Sequence, residues 1–207
     1  SSARLDDLEC CFGSFTGFLP AENETHVTLH CVFDNEEVGS GTKQGAASTF
    51  LKDTLERVND GLGRSREEYH TALAQSFMVS ADNAHAVHPN HSDKADPVNR
   101  PQMNKGIVIK YNANQKYTTD AVSEAAFRSI CDDAKVPYQM FTNRSDIAGG
   151  STLGNISNTQ VAVNTVDIGL SQLAMHSPYE TAGSKDPQYL AQCAEAFYHA
   201  NIRLSGV

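Results

Sequence analysis

Val27-Thr28-Leu29-His30-Cys31-Val32-Phe33-Asp34-Asn35-Glu36-Glu37-Val38-Gly39-Ser40 is the stretch on which the reading of this chain turns. Val27, Leu29, Cys31 and Phe33 alternate with Thr28, His30 and Val32, the period-2 pattern of a half-buried strand. Asp34 to Glu37 then fall at the strand's C-terminal edge, where the loops of open α/β sheets splay apart and ligands gather. Adjacent glutamates cannot both be packed in a core, because burying an unpaired carboxylate is costly. Glu36 and Glu37 are therefore either solvated or hold something positive.

The remainder of the chain extends this beginning into an alternation of helix and strand. Leu8, Cys11, Phe12, Phe15 and Leu19 recur at helical spacing up to Pro20, which predicts a first helix with Asp6 and Asp7 at its positive end. Gly39-Ser40-Gly41-Thr42 is expected to open a second helix carrying Ala47, Phe50, Leu51, Thr54, Leu55 and Val58 on one face. A helical piece over Tyr69–Gln75, a strand over Phe77–Ala81 ending on Asp82, and a strand over Gly106–Tyr111 carrying Lys110 follow. Thr119 and Asp120 start a helix running to about Lys135, Tyr138–Thr142 and Gln160–Ile168 read as strands, and a last helix spans about Pro187 to Arg203. The sum predicts one α/β domain, a three-layer sandwich whose sheet is covered by helices on both faces.

Composition narrows the function. A chain of 207 residues is ample for one core. Its net charge of -9, with no basic block, argues against nucleic acid and against an anionic membrane surface as partners. No apolar run is long enough to span a bilayer and no signal-peptide pattern opens the chain, so a cytoplasmic location is expected. The odd count of five cysteines fits buried thiols in a reducing compartment better than a disulfide framework.

Two loops carry further candidates. His85, His88 and His91 follow Asp82 at intervals of three, but Pro89 interrupts any helix that would align them, and an irregular polar loop is the simpler reading. Gly149-Gly150-Ser151-Thr152 lacks the spacing of a phosphate-binding loop, so close backbone approach to a ligand is the better reading of its glycines. Asp6, Glu36-Glu37, Asp82 and His176 stand out as a scattered set of carboxylates and one imidazole. Such donors suit zinc, manganese or cobalt, and two ions can share a bridging carboxylate; solvated loop acids are the plain alternative.

The strings Ala3-Arg4-Leu5-Asp6-Asp7-Leu8, Asp34 to Ser40, Ser80-Ala81-Asp82-Asn83-Ala84-His85-Ala86-Val87-His88-Pro89-Asn90 and Ala174-Met175-His176-Ser177 closely resemble the aspartyl aminopeptidase and vacuolar aminopeptidase I family of dinuclear metallopeptidases. The likeness runs from end to end and matches the C-terminal part of such an enzyme. It implies a zinc-peptidase-like catalytic domain with two divalent ions, zinc first and manganese or cobalt next. Asp6 would bridge the ions, Glu37 and His176 would complete one site, and Asp82 would be a terminal ligand of the other. Glu36 would be the general base toward a metal-bound hydroxide mechanism. His85 would bind substrate and steady the tetrahedral intermediate, with a structural histidine as the alternative. Lys110 and Tyr117 match substrate-contacting positions, the ammonium favouring an acidic N-terminal side chain or merely balancing the carboxylates. Gly149 and Gly150 would line the cleft.

The implied reaction is release of an N-terminal Asp or Glu from a peptide, with a neutral, Leu-type aminopeptidase as the next reading. The family's large homo-oligomers, often dodecamers, are implied as well. Such enzymes carry an earlier segment with another histidine ligand, an aspartate that orients it and an inserted dimerisation domain, and the expectation is that none of these lies within the 207 residues. A non-catalytic metal-binding or assembly module is therefore a competing reading from a different class.

Overall fold

A computed structural model describes residues 1–204. The helices are α1 (Leu5–Phe18), α2 (Phe50–Gly61), α3 (Arg66–Ala74), α4 (Ala121–Asp133), α5 (Leu153–Ser157) and α6 (Asp186–His199). The strands are β1 (Phe77–Ala81), β2 (Ala84–His85), β3 (Ile107–Tyr111), β4 (Tyr138–Thr142), β5 (Asn164–Gly169), β6 (Ser171–Leu173) and β7 (Thr181–Ala182). The expected α/β class holds, with the strands divided between two mixed sheets.

The larger sheet has the order β1-β5-β3-β4, with β1 parallel to β5, β3 parallel to β4, and β3 antiparallel to β5. Its centre, Ile107-Val108-Ile109-Lys110, is buried on both faces, which is why that strand reads as a continuous apolar run broken by a single lysine. Ile107, Ile109, Val166 and Ile168 point to one face and pack with Phe127 and Ile130 of α4 and with Leu190 and Cys193 of α6. Val108 and Lys110 point to the other, where Val108 joins Tyr117, Phe141 and Ala84 and where α5 lies against β1 and β5. Asp120 starts α4 by accepting from the N–H groups of Val122 and Ser123, in a reciprocal cap with the Ser123 side chain.

Three local expectations change. Val27–Phe33 is extended but is not a strand, since no ladder forms along it among the described residues. The alternation is present without a paired neighbour among the described residues, and a cavity of about 770 Å³ lies between this segment and β1. The second helix starts at Phe50 rather than at Gly39, because Gly39 (φ 102°) and Ser40 (φ 59°) are both left-handed and end the short turn Glu36–Val38 instead of continuing it. On α1 the buried side is Glu9, Cys10, Gly13 and Gly17 against α6, while Leu8, Phe12, Phe15 and Leu19 are exposed. All five cysteines are free thiols, and Cys10, Cys131 and Cys193 are buried.

The smaller sheet, ordered β2-β6-β7, stands at the carboxyl end of β1 and β5. It gathers chain from far apart: β2 follows Asp82, β6 precedes His176, and Glu180, just before β7, pairs through its backbone with Ser2. This small frame positions the site.

Candidate active site

Asp6 lies at the junction of two acidic groups. It stands just ahead of the regular part of α1, where its backbone is still non-helical (φ −77°, ψ 112°). The Nε2 atom of His176 is 3.1 Å from Asp6 Oδ2 and 3.0 Å from Glu37 Oε2. One ligand atom from each of Asp6, Glu37 and His176 falls within 4.8 Å of the others, and Asp6, Asp7 and Asp82 form a second group by the same measure. One carboxylate common to two donor sets is the arrangement that lets a pair of cations share a bridge.

The electrostatics point the same way. Burial first, then the carboxylates of Asp82 and Glu37, push the Asp6 carboxyl up to about 8. Burial, Asp82 and Glu37 likewise push Glu36 up to about 7, and Asp7 is raised well above the carboxylate range by burial and Asp82. Crowded, half-desolvated acids ionise reluctantly until a positive charge joins them. Lys110 is the cation the chain itself supplies: its Nζ donates to Asp82 Oδ2 at 3.2 Å and to the Asn83 carbonyl at 2.8 Å. Burial works against its charge, but Asp82 and the more distant acids outweigh that and raise its pKa. Carboxylate oxygens with one imidazole nitrogen are a donor set that suits zinc, and the residues present fit such ions.

Asp6, Glu37, Asp82, Lys110 and His176 line a cleft of about 880 Å³ that also takes in Glu36, His85, Tyr117, Gly149 and Gly150. Every residue singled out from the sequence therefore reaches one cavity. His85 is accessible from the cleft; partial desolvation, then Lys110 and His176, hold its pKa below the ordinary value. The Lys110 ammonium stands 5.4 Å from the Tyr117 ring centroid, over its face. At Gly149 a side chain would meet the Asn143 amide at 2.4 Å, whereas nothing stands within 4 Å of Gly150, so protein packing accounts for the first glycine and leaves the second open. His88 and His91 sit at the rim with ring centroids 5.0 Å apart and join neither acidic group.

Sequence reasoning missed several contributors. Asp7 accepts from the Asn83 N–H, and its only signal was adjacency to Asp6. Asp167 accepts from the Thr118 N–H and from the hydroxyls of Thr118 and Thr152, tying together the two loops that carry Tyr117 and the glycines. It sat unmarked inside an apolar strand. Glu180 had no pattern at all.

The family model for the aminopeptidase I zinc metalloproteases, M18, matches residues 1–198. This chain belongs to that family. It is 49% identical over 199 residues to the probable M18 family aminopeptidase 2 of Clostridium acetobutylicum, covering 96% of this chain and 46% of that protein. The corresponding protein of Pseudomonas aeruginosa is 45% identical, with 96% and 45% covered. The chain thus spans about half the length of the curated M18 relatives it matches. Among solved structures, Ape4 in its complex with Nbr1 superposes with a TM-score of 0.88 at 39% identity, over 95% of this chain and 38% of that one. The S. cerevisiae mApe1 dodecamer gives 0.80 at 27% identity, over 95% and 45%. The M18 aminopeptidase of Thermotoga maritima, 24% identical with a TM-score of 0.84 over 96% and 45%, shares the fold. Among the described residues no helix is long and apolar enough to cross a membrane.

Proposed function

We propose that this chain supplies most of the dinuclear metal centre of a metal-dependent aminopeptidase that releases an acidic N-terminal residue from peptides. The observation that carries the reading is the sharing of Asp6 between the Glu37–His176 group and the Asp7–Asp82 group. In the proposed centre Asp6 would be the ligand common to two zinc ions, Glu37 and His176 would complete one donor set, and Asp82 would belong to the other. Asp7 helps to fix the second group from behind, through its bond to Asn83. Bound zinc lowers the pKa of a coordinated water toward neutrality and polarises the scissile carbonyl.

The side chains divide the rest of the work. Glu36, whose carboxyl is pushed up to about 7 by burial and then by Asp82 and Glu37, accepts a proton from the attacking water and returns it to the leaving amine. His85 presents an N–H donor to the oxygen on which negative charge develops. Tyr117, Gly149 and Gly150 form the wall against which the N-terminal residue lies. Lys110 attracts its acidic side chain. Because that ammonium already donates to Asp82 and Asn83, a second reading has it balancing the ligand charge, with a neutral N-terminal residue such as Leu as the substrate. Comparing hydrolysis of Asp-, Glu- and Leu-amides separates the two. A homo-oligomer, dodecameric like the S. cerevisiae mApe1 structure, and a cytoplasmic setting complete the proposal.

The central test is Glu36→Gln in the complete protein. Turnover falls by at least about 10²-fold while zinc stoichiometry is unchanged. Turnover within a few fold of the native protein would remove Glu36 from the base role, and unchanged zinc content after Asp6→Asn would remove the bridge.

A further inference from the structure

Glu180 is a buried carboxylate with only 1% of its surface accessible, and among the described residues no Lys, Arg or His makes an ion pair with it. Taking a carboxylate out of water without a counter-charge is unfavourable, so its remaining partners have to account for it. They are two backbone N–H groups. Oε2 accepts from Asp6 N at 3.1 Å, and Oε1 accepts from His176 N at 2.7 Å. These donors lie 170 residues apart in sequence, and each belongs to a member of the acid and imidazole cluster.

Asp6 is in ordinary extended geometry at the mouth of α1, but the backbone at the other place needs holding. His176 is left-handed (φ 68°), as is Ala174 (φ 57°), a conformation that residues with a Cβ adopt only where their surroundings enforce it. Glu180 is itself anchored: its own N–H and carbonyl pair with Ser2, and the next residues form β7, which pairs with β6. β6 in turn pairs with β2, the strand that follows Asp82. A glutamate meets two inward-pointing N–H groups with two acceptor oxygens. A glutamine has one acceptor and an NH₂ that would face the second N–H, donor against donor.

We infer that Glu180 is a positioning residue for the metal centre: its two oxygens clamp the backbones of Asp6 and His176 and so set the separation of their ligand atoms before any ion binds. The inference rests on the proposed ligand roles of Asp6 and His176. Partners that orient ligands in this way typically govern metal affinity by about 10- to 100-fold.

The test uses the complete protein, stripped with a chelator and titrated with cobalt(II) while the visible ligand-field bands are followed. Glu180→Gln is expected to weaken binding by about 10- to 100-fold and to alter the band pattern at saturation. Asp186→Asn is the control. Asp186 is an equally buried carboxylate that clamps the N–H groups of Asn104 and Gly106, so its loss is expected to lower Tm and leave cobalt affinity unchanged. Cobalt affinity within twofold of native for Glu180→Gln, or an equal loss in Asp186→Asn, would overturn the clamp. Asp6→Asn keeps the two failures apart, since cobalt binding unaltered by that substitution would sink the ligand assignment itself. A measurement on the native protein needs no variant: in the metal-free state the amides of Asp6 and His176 exchange slowly with deuterium, and rapid exchange at both would overturn the inference.

Discussion

The two ends of the sheet system were built from equally apolar sequence and reached opposite outcomes. Between β3 and α6 the apolar side chains found partners: Phe127 is 1% exposed and Ile109 is fully buried. Between α1 and α2 they did not. Phe12 is 66% exposed, Leu19 67% and Val27 62%, and the extended segment after α1 has no ladder on either side among the described residues. Periodicity records which face a residue was selected to present. Whether that face is covered depends on backbone that the periodic segment does not itself contain.

The sharpest way to break this contrast is a matched truncation. Phe127→Ala is expected to cost about 3–5 kcal/mol in urea unfolding, as large-to-small changes in closed cores do. Phe12→Ala should stay within about 0.5 kcal/mol. Similar losses at both positions would mean that the α1 stripe is covered after all. A smaller effect is expected at the face α1 does bury. A Cβ on Gly17 would lie 2.4 Å from the Ala191 carbonyl and 2.6 Å from the Ala194 methyl, so Gly17→Ala should cost about 1–3 kcal/mol by forcing α1 off α6. No change in unfolding midpoint would show that the two helices touch loosely.

A further effect concerns pH and belongs to the site that joins the two regions. In metal-free protein Asp6 and Glu36 have pKa values raised to about 8 and about 7, so between about pH 4 and 8 the folded state holds protons that the unfolded chain has released. Stability must then fall as pH rises through that window. The metal-free Tm is expected to be several degrees lower at pH 8 than at pH 5, and saturating zinc should remove the decline. A metal-free Tm that rises over the same window would contradict the crowding of these carboxylates.

Much of the closed region was legible from sequence because its signals are local. Phe77–Ala81 and Tyr138–Thr142 have the expected bounds, and Asp120 caps α4 as its side-chain chemistry requires. The site's candidates came in part from acids at expected strand ends and in part from strings that resemble the family, and all of them line one cleft. The failures are equally physical. Val27–Phe33 carries strand periodicity without a strand, because pairing is a property of two segments. Asp167 and Glu180 are single acids with no neighbour in sequence to mark them, and their roles come entirely from the distant N–H and hydroxyl groups that converge on them in three dimensions.

The meeting of Asp6 with His176 also has a consequence in time. Asp6 meets His176, 170 positions further along the chain, with Ser2 and Glu180 paired beside them. During synthesis the first partner emerges long before the second, and at 5–20 residues per second the wait is roughly 10–30 s. Through that interval the early acids stand beside one another with neither the imidazole nor the Glu180 carboxylate to arrange them. In the proposed centre the last quarter of this chain would therefore be what turns a group of mutually repelling side chains into a receptor for ions, and nascent chains whose emerged portion stops before or beyond Glu180 should differ abruptly in the metal they retain.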